Sequence, residues 1–444
     1  MPKTRPGKPQ LPIARRGLLV GATTLGATVA TPHLVRAAGE VTLRFWTSQG
    51  APVQMAAWKN IFRRFEKNHP GFKVAIELYS DDDLWTKLSA AFAARDLPDL
   101  ISYVQAYTVA TLAAQDLVEP FDDVIKAVGE NDFYPGMRDI YKYNGHYIAA
   151  TYNNQTSSNL WYRTDLLSLA GLAPPQTWDD QLKAAKAMTK GTIYGNSLPY
   201  GRTSMTSTMM VNFVHQAGGL VVNPDGSVGF GSPATIAALE FLRAIFPYAP
   251  PGATNYSWGE VLNSFVTGRA AMAPYTGRPI GIIAAQNPKL LDHISVVAYP
   301  WRASGHPAFD VPFNSLFIPK GAPHVAAAKE LAIALFQKQN YLEFLLTAPG
   351  HNLPSLKSIA AAPEFWSHPL IKKFRPQVEL MIKNTAAGRN LVKETDASPY
   401  NLKAGDIFNS GVLAETLQDV VVNKLPPSQA AARGADKIAN LLKA

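Results

Sequence analysis

The sequence predicts an α/β protein whose opening section forms a parallel, doubly wound sheet. Two observations carry that expectation. Strand-like and helix-like segments alternate three times between residues 41 and 115, the strands short and the helices apolar on one face. The C-terminal stretch then turns mostly helical, and a chain of 444 residues suffices for two domains with full cores.

Residues 41–46 alternate as a strand should, and a polar, glycine-bearing turn over 47–50 leads into a helix with Met55, Trp58, Phe62 and Phe65 on one face. Residues 74–78 give the second strand and 82–95 the second helix, with Asp81, Asp82 and Asp83 placed where carboxylates stabilise a helix start. Pro98-Asp99-Leu100-Ile101 opens the third strand, and a helix over 108–115 follows. On such sheets ligands bind beyond the carboxyl ends of the strands. That rule singles out the loops 47–50, 79–83 and 103–107. Further on, Asn144-Gly145 marks a hairpin turn within 141–152, and Asn223-Pro224-Asp225-Gly226 a turn between two short strands. Thr177 caps a helix over 178–189, and Ser232-Pro233 opens one reaching about 246. A helix over 257–267, a buried strand over 270–274 and helices over 323–337, 403–423 and 428–443 complete the reading.

The first 37 residues read as an export signal. Lys3, Arg5, Lys8, Arg15 and Arg16 form a basic, acid-free start, residues 17–30 an apolar run, and Val35-Arg36-Ala37 a cleavage site. The apolar run is shorter than the roughly 20 residues a spanning helix needs. Arg15-Arg16 before it resembles a twin-arginine signal, with a general secretory signal as the alternative. The chain has no cysteine, so disulfides, thiolate metal sites, a catalytic thiol and a lipid anchor on cysteine are excluded. An exported chain without a lipid is expected to be soluble and periplasmic. Of the formal charge of +9, six units belong to residues 1–37, and the weak excess left attracts neither nucleic acid nor anionic lipid strongly.

In this order and spacing, several short stretches resemble the extracellular solute-binding proteins of sugar-type ABC importers, the family of the maltose-binding protein. They are Leu43-Arg44-Phe45-Trp46 with Phe65-Glu66-Lys67-Asn68-His69-Pro70-Gly71; Pro98-Asp99-Leu100 with Leu117-Val118-Glu119-Pro120; Leu160-Trp161-Tyr162-Arg163-Thr164-Asp165-Leu166; Pro175-Gln176-Thr177-Trp178-Asp179-Asp180; and Phe265-Val266-Thr267-Gly268-Arg269-Ala270-Ala271-Met272. The resemblance implies a two-lobed α/β fold, each lobe a doubly wound sheet flanked by helices, with solute in the cleft between. It places the first lobe at 38–151 plus 314–350 and the second at 152–313 plus 351–444. The implied partners are a saccharide or sugar derivative, an inner-membrane permease and, through it, a cytoplasmic ATPase. The expected protein is a monomer with no cofactor and no metal.

Sugars present apolar C–H faces ringed by hydroxyls, so their sites combine aromatic surfaces with amides and carboxylates. The strand-end loops of the first lobe offer Trp46, Ser48, Gln49, Asp81, Asp82, Gln105 and Tyr107. At the crossing stand Tyr152, Asn153 and Asn154; from the second lobe come Trp258, Tyr275, Gly277 and Arg278, with Tyr400 near the last helices. Trp46 has an equal reading as plain core, and Trp58, Trp85 and Trp178 read as packing. Relatives commonly carry tryptophan near the place of Arg278. An arginine there points to stacking or to a bidentate pair with an anionic group, against the alternative of a surface ion pair.

The competing class is a periplasmic polysaccharide hydrolase or lyase. Glycoside hydrolysis needs paired carboxylates across a cleft, and no pair stands in a recognisable context. No Gly-x-Ser-x-Gly elbow and no phosphate-binding Gly-x-x-x-x-Gly-Lys run occurs, and the nine histidines are too dispersed for a short metal motif. Binding of polyamine or ferric ion is a third reading that a single aspartate run supports poorly.

Overall fold

The computed structural model of the protein describes residues 40–80 and 83–443. The export signal and the candidates Asp81 and Asp82 lie outside the described residues.

Two sheets organise the chain. The first has six strands: β1 (Val41–Thr47), β2 (Phe72–Leu78), β3 (Leu100–Val104), β6 (Ala150–Asn154), β10 (Asn314–Phe317) and β11 (Leu353–Pro354), in the order β11-β6-β10-β3-β1-β2. A small hairpin, β4 (Lys142–Tyr143) with β5 (His146–Tyr147), turns at Asn144 and Gly145, both at positive φ as a type I′ turn demands. β1 runs parallel to β2 and β3, while β10 runs antiparallel to β3 and β6, and β11 antiparallel to β6. The carboxyl ends of β1, β2, β3 and β6 therefore share one edge with the first residues of β10 and β11.

The period-two alternation of β1 divides its side chains. Leu43 and Phe45 face the helix Pro52–Asn68, where the Trp58 ring lies 5.1 Å from Phe45 and stacks at 4.5 Å on Phe344. Arg44 and Trp46 point the other way and share Glu77 on β2: Arg44 Nε donates to it at 2.6 Å and the Trp46 indole at 2.8 Å. That cross-strand set ties β1 to the sheet's edge strand.

The second sheet contains β7 (Asn159–Arg163), β8 (Met272–Pro274) and β9 (Ile294–Ala298), with β7 central and antiparallel to both. The backbone near Tyr194 extends it beside Ala270 and Met272. The helix Trp178–Met188 begins at Thr177, whose hydroxyl accepts from Asp180 N, and packs Trp178 on Phe241 at 4.8 Å. Phe213 meets Tyr299 edge-on at 5.3 Å, adding the helix Ser204–Gln216 to the same core.

The architecture is mixed α/β with helices flanking both sheets, and two details depart from expectation, the sense of the second sheet and one late helix. The second sheet is antiparallel rather than doubly wound, because β7 is joined to β8 and β9 by chain that returns in the opposite sense. Around and beyond the expected return at 350–354 the chain keeps contact with the elements of the first sheet: β11 pairs with β6, Leu356 bridges Phe133, and Ser358 N donates to Asp132 at 2.8 Å. The expected helix over 403–423 is broken into Ala404–Asn409 and Val412–Val421 by Gly411 at φ +72°. Trp58 and Trp178 are core residues as read from their helical faces, but Trp85 is 39% exposed.

Candidate functional site

The edge of the first sheet at the carboxyl ends of its parallel strands is lined with buried polar side chains. β6 ends in Asn153 and Asn154, and residues 155–158, Gln-Thr-Ser-Ser, carry the chain to β7 in the second sheet. Asn314, first residue of β10, pairs in register with Asn153. All these side chains are buried. Some of their capacity is used: Asn153 Nδ2 donates to Asn352 Oδ1 at 3.1 Å, Gln155 Nε2 to the Tyr103 hydroxyl at 2.7 Å, and the Thr156 hydroxyl to the Asp310 carbonyl at 2.7 Å. Much is unused. Both amide atoms of Asn154 and of Asn314, with Asn153 Oδ1, Gln155 Oε1, Ser157 Oγ and Ser48 Oγ, have no partner in the protein. Leaving a buried donor or acceptor unsatisfied costs about 1–3 kcal/mol, and native proteins concentrate such groups where water or a bound molecule completes them.

The facing edge of the second sheet carries the turn that follows β8. The register Asn159 to Ala298 and Leu160 to Pro274 puts the start of β7 beside the ends of β8 and β9, so residues 275–278 emerge at this edge. Tyr275 donates its hydroxyl to the Trp258 carbonyl at 3.1 Å, and burial raises its phenol far above the ordinary range. The partly exposed Trp258 stands edge-on to Tyr275 at 5.8 Å and is fixed by its indole N–H on Ser204 Oγ at 3.1 Å. An aromatic surface held by both its carbonyl and its indole is pre-organised for an apolar face.

Arg278 has a histidine as its partner. A guanidinium N–H lies 2.6 Å from His351 Nε2, whose Nδ1 is 2.8 Å from Thr276 Oγ1. Burial and the neighbouring Arg278 hold the His351 ring well below its ordinary pKa, so it is a neutral acceptor. Gly277 is required by proximity: a Cβ there would fall 1.8 Å from the Gly350 carbonyl oxygen.

Other candidates sit elsewhere or serve structure. Trp46 and Tyr152 are engaged in packing: Trp46 is 2% exposed against Glu77 and Lys87, and Tyr152 is 1% exposed in the core, with Phe344 at 5.0 Å and Phe336 at 5.2 Å. Gln49 is also structural, accepting from Gln54 Nε2 at 2.5 Å and, through its carbonyl, from Trp58 at 3.2 Å. Tyr107 stacks on Phe408 at 4.1 Å, and Tyr400 tilts against Tyr143 at 5.2 Å with a buried, unpartnered hydroxyl. Gln105 is half-buried where the helix Ala106–Ala114 begins, on the edge that holds Asn154. Gln155, Ser157, Asn314 and His351 were not anticipated. The signal for the first two was the unbroken polar run 153–159, far too polar for the buried crossing it forms.

A concavity of about 380 Å³ lined by Lys59, Phe62, Arg63, Glu66, Val74 and Ile76 lies between the helix Pro52–Asn68 and edge strand β2, away from this polar edge. Half of its lining is charged, from Lys59, Arg63 and Glu66. Among the described residues no three His, Asp or Glu side chains gather as metal ligands would, and no helix is long and apolar enough to cross a membrane.

Comparison with known proteins agrees with this geometry. The protein YcjN of Escherichia coli (strain K12), which bears the name of an ABC transporter periplasmic-binding protein, is 24% identical over 412 residues, 91% of this chain and 93% of its own. A solute-binding protein of an ABC transporter from Thermotoga lettingae TMO, bound with α-D-tagatose, superposes with a TM-score of 0.77 at 23% identity, covering 90% of this chain and 99% of that one. A counterpart from Agrobacterium radiobacter K84 in complex with ribitol gives a TM-score of 0.76 at 23% identity, over 91% and 99%. The fold is thus the two-lobed one of these carriers. The model of the bacterial extracellular solute-binding proteins matches residues 49–348, and the chain belongs to that family, the solute-binding components of ABC transporters.

Proposed function

We propose that the protein captures a small saccharide or polyol between the two polar edges, closes over it and hands it unchanged to an ABC permease in the inner membrane. A cytoplasmic ATPase drives that permease. One observation carries the choice of solute: the paired, buried and unpartnered amides of Asn154 and Asn314. A primary amide donates and accepts at once, as does a sugar hydroxyl, so each can complete two bonds with one solute. Trp258 supplies the aromatic surface for a C–H face. The tagatose and ribitol held by the similar carriers are compact polyhydroxylated molecules of this kind.

In this reading the first lobe comprises residues 38–154 and 314–360, and the second takes the chain between the crossings and the helices after it. Residues 1–37 direct export to the periplasm, where the processed protein acts as a soluble monomer. A thermal-shift panel of sugars, polyols, sugar acids and glycerol phosphates tests the proposal, because a molecule that binds only the folded state raises the melting temperature. A neutral sugar or polyol is expected to give the largest rise and to be recovered intact. Product accumulating with time would favour the hydrolase, and a rise from glycerol phosphate alone would restore an anionic solute.

A further inference from the structure

His351 stands two residues before β11, in the segment held to the first sheet through Asn352 and Asn153. Arg278 opens the helix Arg278–Gln286, which follows β8 of the second sheet. Their contact therefore joins the two sheets, beside the close approach of Gly277 to Gly350. Arginine only donates, so the His351 Nε2 it addresses must carry a lone pair, and the ring proton sits on Nδ1 toward Thr276 Oγ1. A second proton on that ring would remove the acceptor and set two cations 2.6 Å apart away from water.

We propose that Arg278 and His351 are positioning residues, a clamp that fastens the turn after β8 to the first lobe in the closed state and that acid releases. It rests on the carrier reading above. Among the described residues, Arg278 is the charged group that acts on the His351 ring. Tyr275, beside Arg278, stays a neutral phenol through burial, and Glu260 near it is spent on the backbone N–H of Ser257 at 2.9 Å. The helix Arg375–Ala386 presents apolar Val378 to Gly350, and the helix Arg278–Gln286 presents Ile280.

The sign follows from linkage. With the clamp made, the ring pKa lies well below 6.5; with the lobes apart it returns to about 6.5. The closed state then binds fewer protons, so affinity falls as the pH falls below about 6.5. One proton gives a loss of at most about thirty-fold between pH 7.5 and 5.0.

The test is isothermal titration with D-tagatose, ribitol and maltose at pH 7.5 and 5.0, on the parent protein, His351→Ala and His351→Gln. The parent is expected to lose severalfold, up to about thirty-fold, for whichever probe binds. His351→Ala weakens binding at pH 7.5. His351→Gln, whose amide accepts from Arg278 and donates to Thr276, recovers most of that loss and flattens the pH profile. A flat parent profile, or His351→Gln as pH-dependent as the parent, overturns the clamp alone. No binding of any probe at either pH overturns the carrier reading and the clamp with it.

Discussion

Gly277→Ala isolates lobe closure from folding. Gly277 has φ −74° and ψ 1°, which an alanine adopts freely, so the backbone at this position is not strained by the change. The added Cβ meets the other side: it would lie 1.8 Å from the Gly350 carbonyl oxygen, 2.2 Å from its carbon and 2.9 Å from His351 N. All three are main-chain atoms with no rotamer to change, and the segments must separate by roughly 1.5 Å to reach ordinary contact. Overpacking of this kind costs about 1–3 kcal/mol. At about 1.4 kcal/mol per tenfold, solute binding should weaken by roughly 5- to 150-fold. Isothermal titration with the solute that gives the largest thermal shift measures that loss, and a ligand-free melt measures the folding baseline. The expectation is weakened binding with a ligand-free melting temperature within about 2 °C of the parent, since the contact belongs to closure. Affinity unchanged within about twofold would refute the steric argument, and a ligand-free drop above about 5 °C would show the contact to be part of the folded framework.

Three further outcomes follow from the same structure. Asn154→Leu removes a buried amide with no protein partner, so it should raise the ligand-free melting temperature while weakening solute binding by about tenfold or more, read by differential scanning fluorimetry and titration. Trp46→Phe loses the indole bond to Glu77 and is expected to cost about 1–3 kcal/mol in urea unfolding with solute affinity unchanged. Burial pushes the Asp310 carboxyl up to about 7, above its unfolded value, so its ionisation costs stability as the pH rises toward 7. Asp310→Asn should stabilise the protein more at pH 8 than at pH 5, by a difference of about 2 kcal/mol in urea melts.

The first sheet was legible because its strands and helices announce themselves locally. Leu43 and Phe45 alternate with Arg44, Trp58 and Phe62 repeat on a helical face, and Asn144-Gly145 dictates its hairpin. The second sheet was not, because its strands come from distant parts of the chain: β7 and β9 pair across more than a hundred residues, and no local pattern encodes the sense of that pairing. The site divides in the same way. Asn153 and Asn154 stood out as amides at a strand end, yet nothing local told them apart from Tyr152 beside them, whose ring packs among Trp58, Phe336 and Phe344 contributed by distant helices. Asn314 and His351 reach the site through chain that returns from far away. Arg278 was conspicuous, but its role depends on His351, which lies 73 positions distant in sequence.

The central claim is that the buried amides of Asn154 and Asn314 complete their hydrogen bonds with the solute. A crystal structure of the protein with the neutral sugar or polyol that most raises its melting temperature tests it most directly. The account predicts an intact solute with hydroxyls within about 3 Å of both amides and a C–H face against Trp258. A solute seated in the groove between the helix Pro52–Asn68 and β2, or one that leaves both amides without a partner, would contradict it.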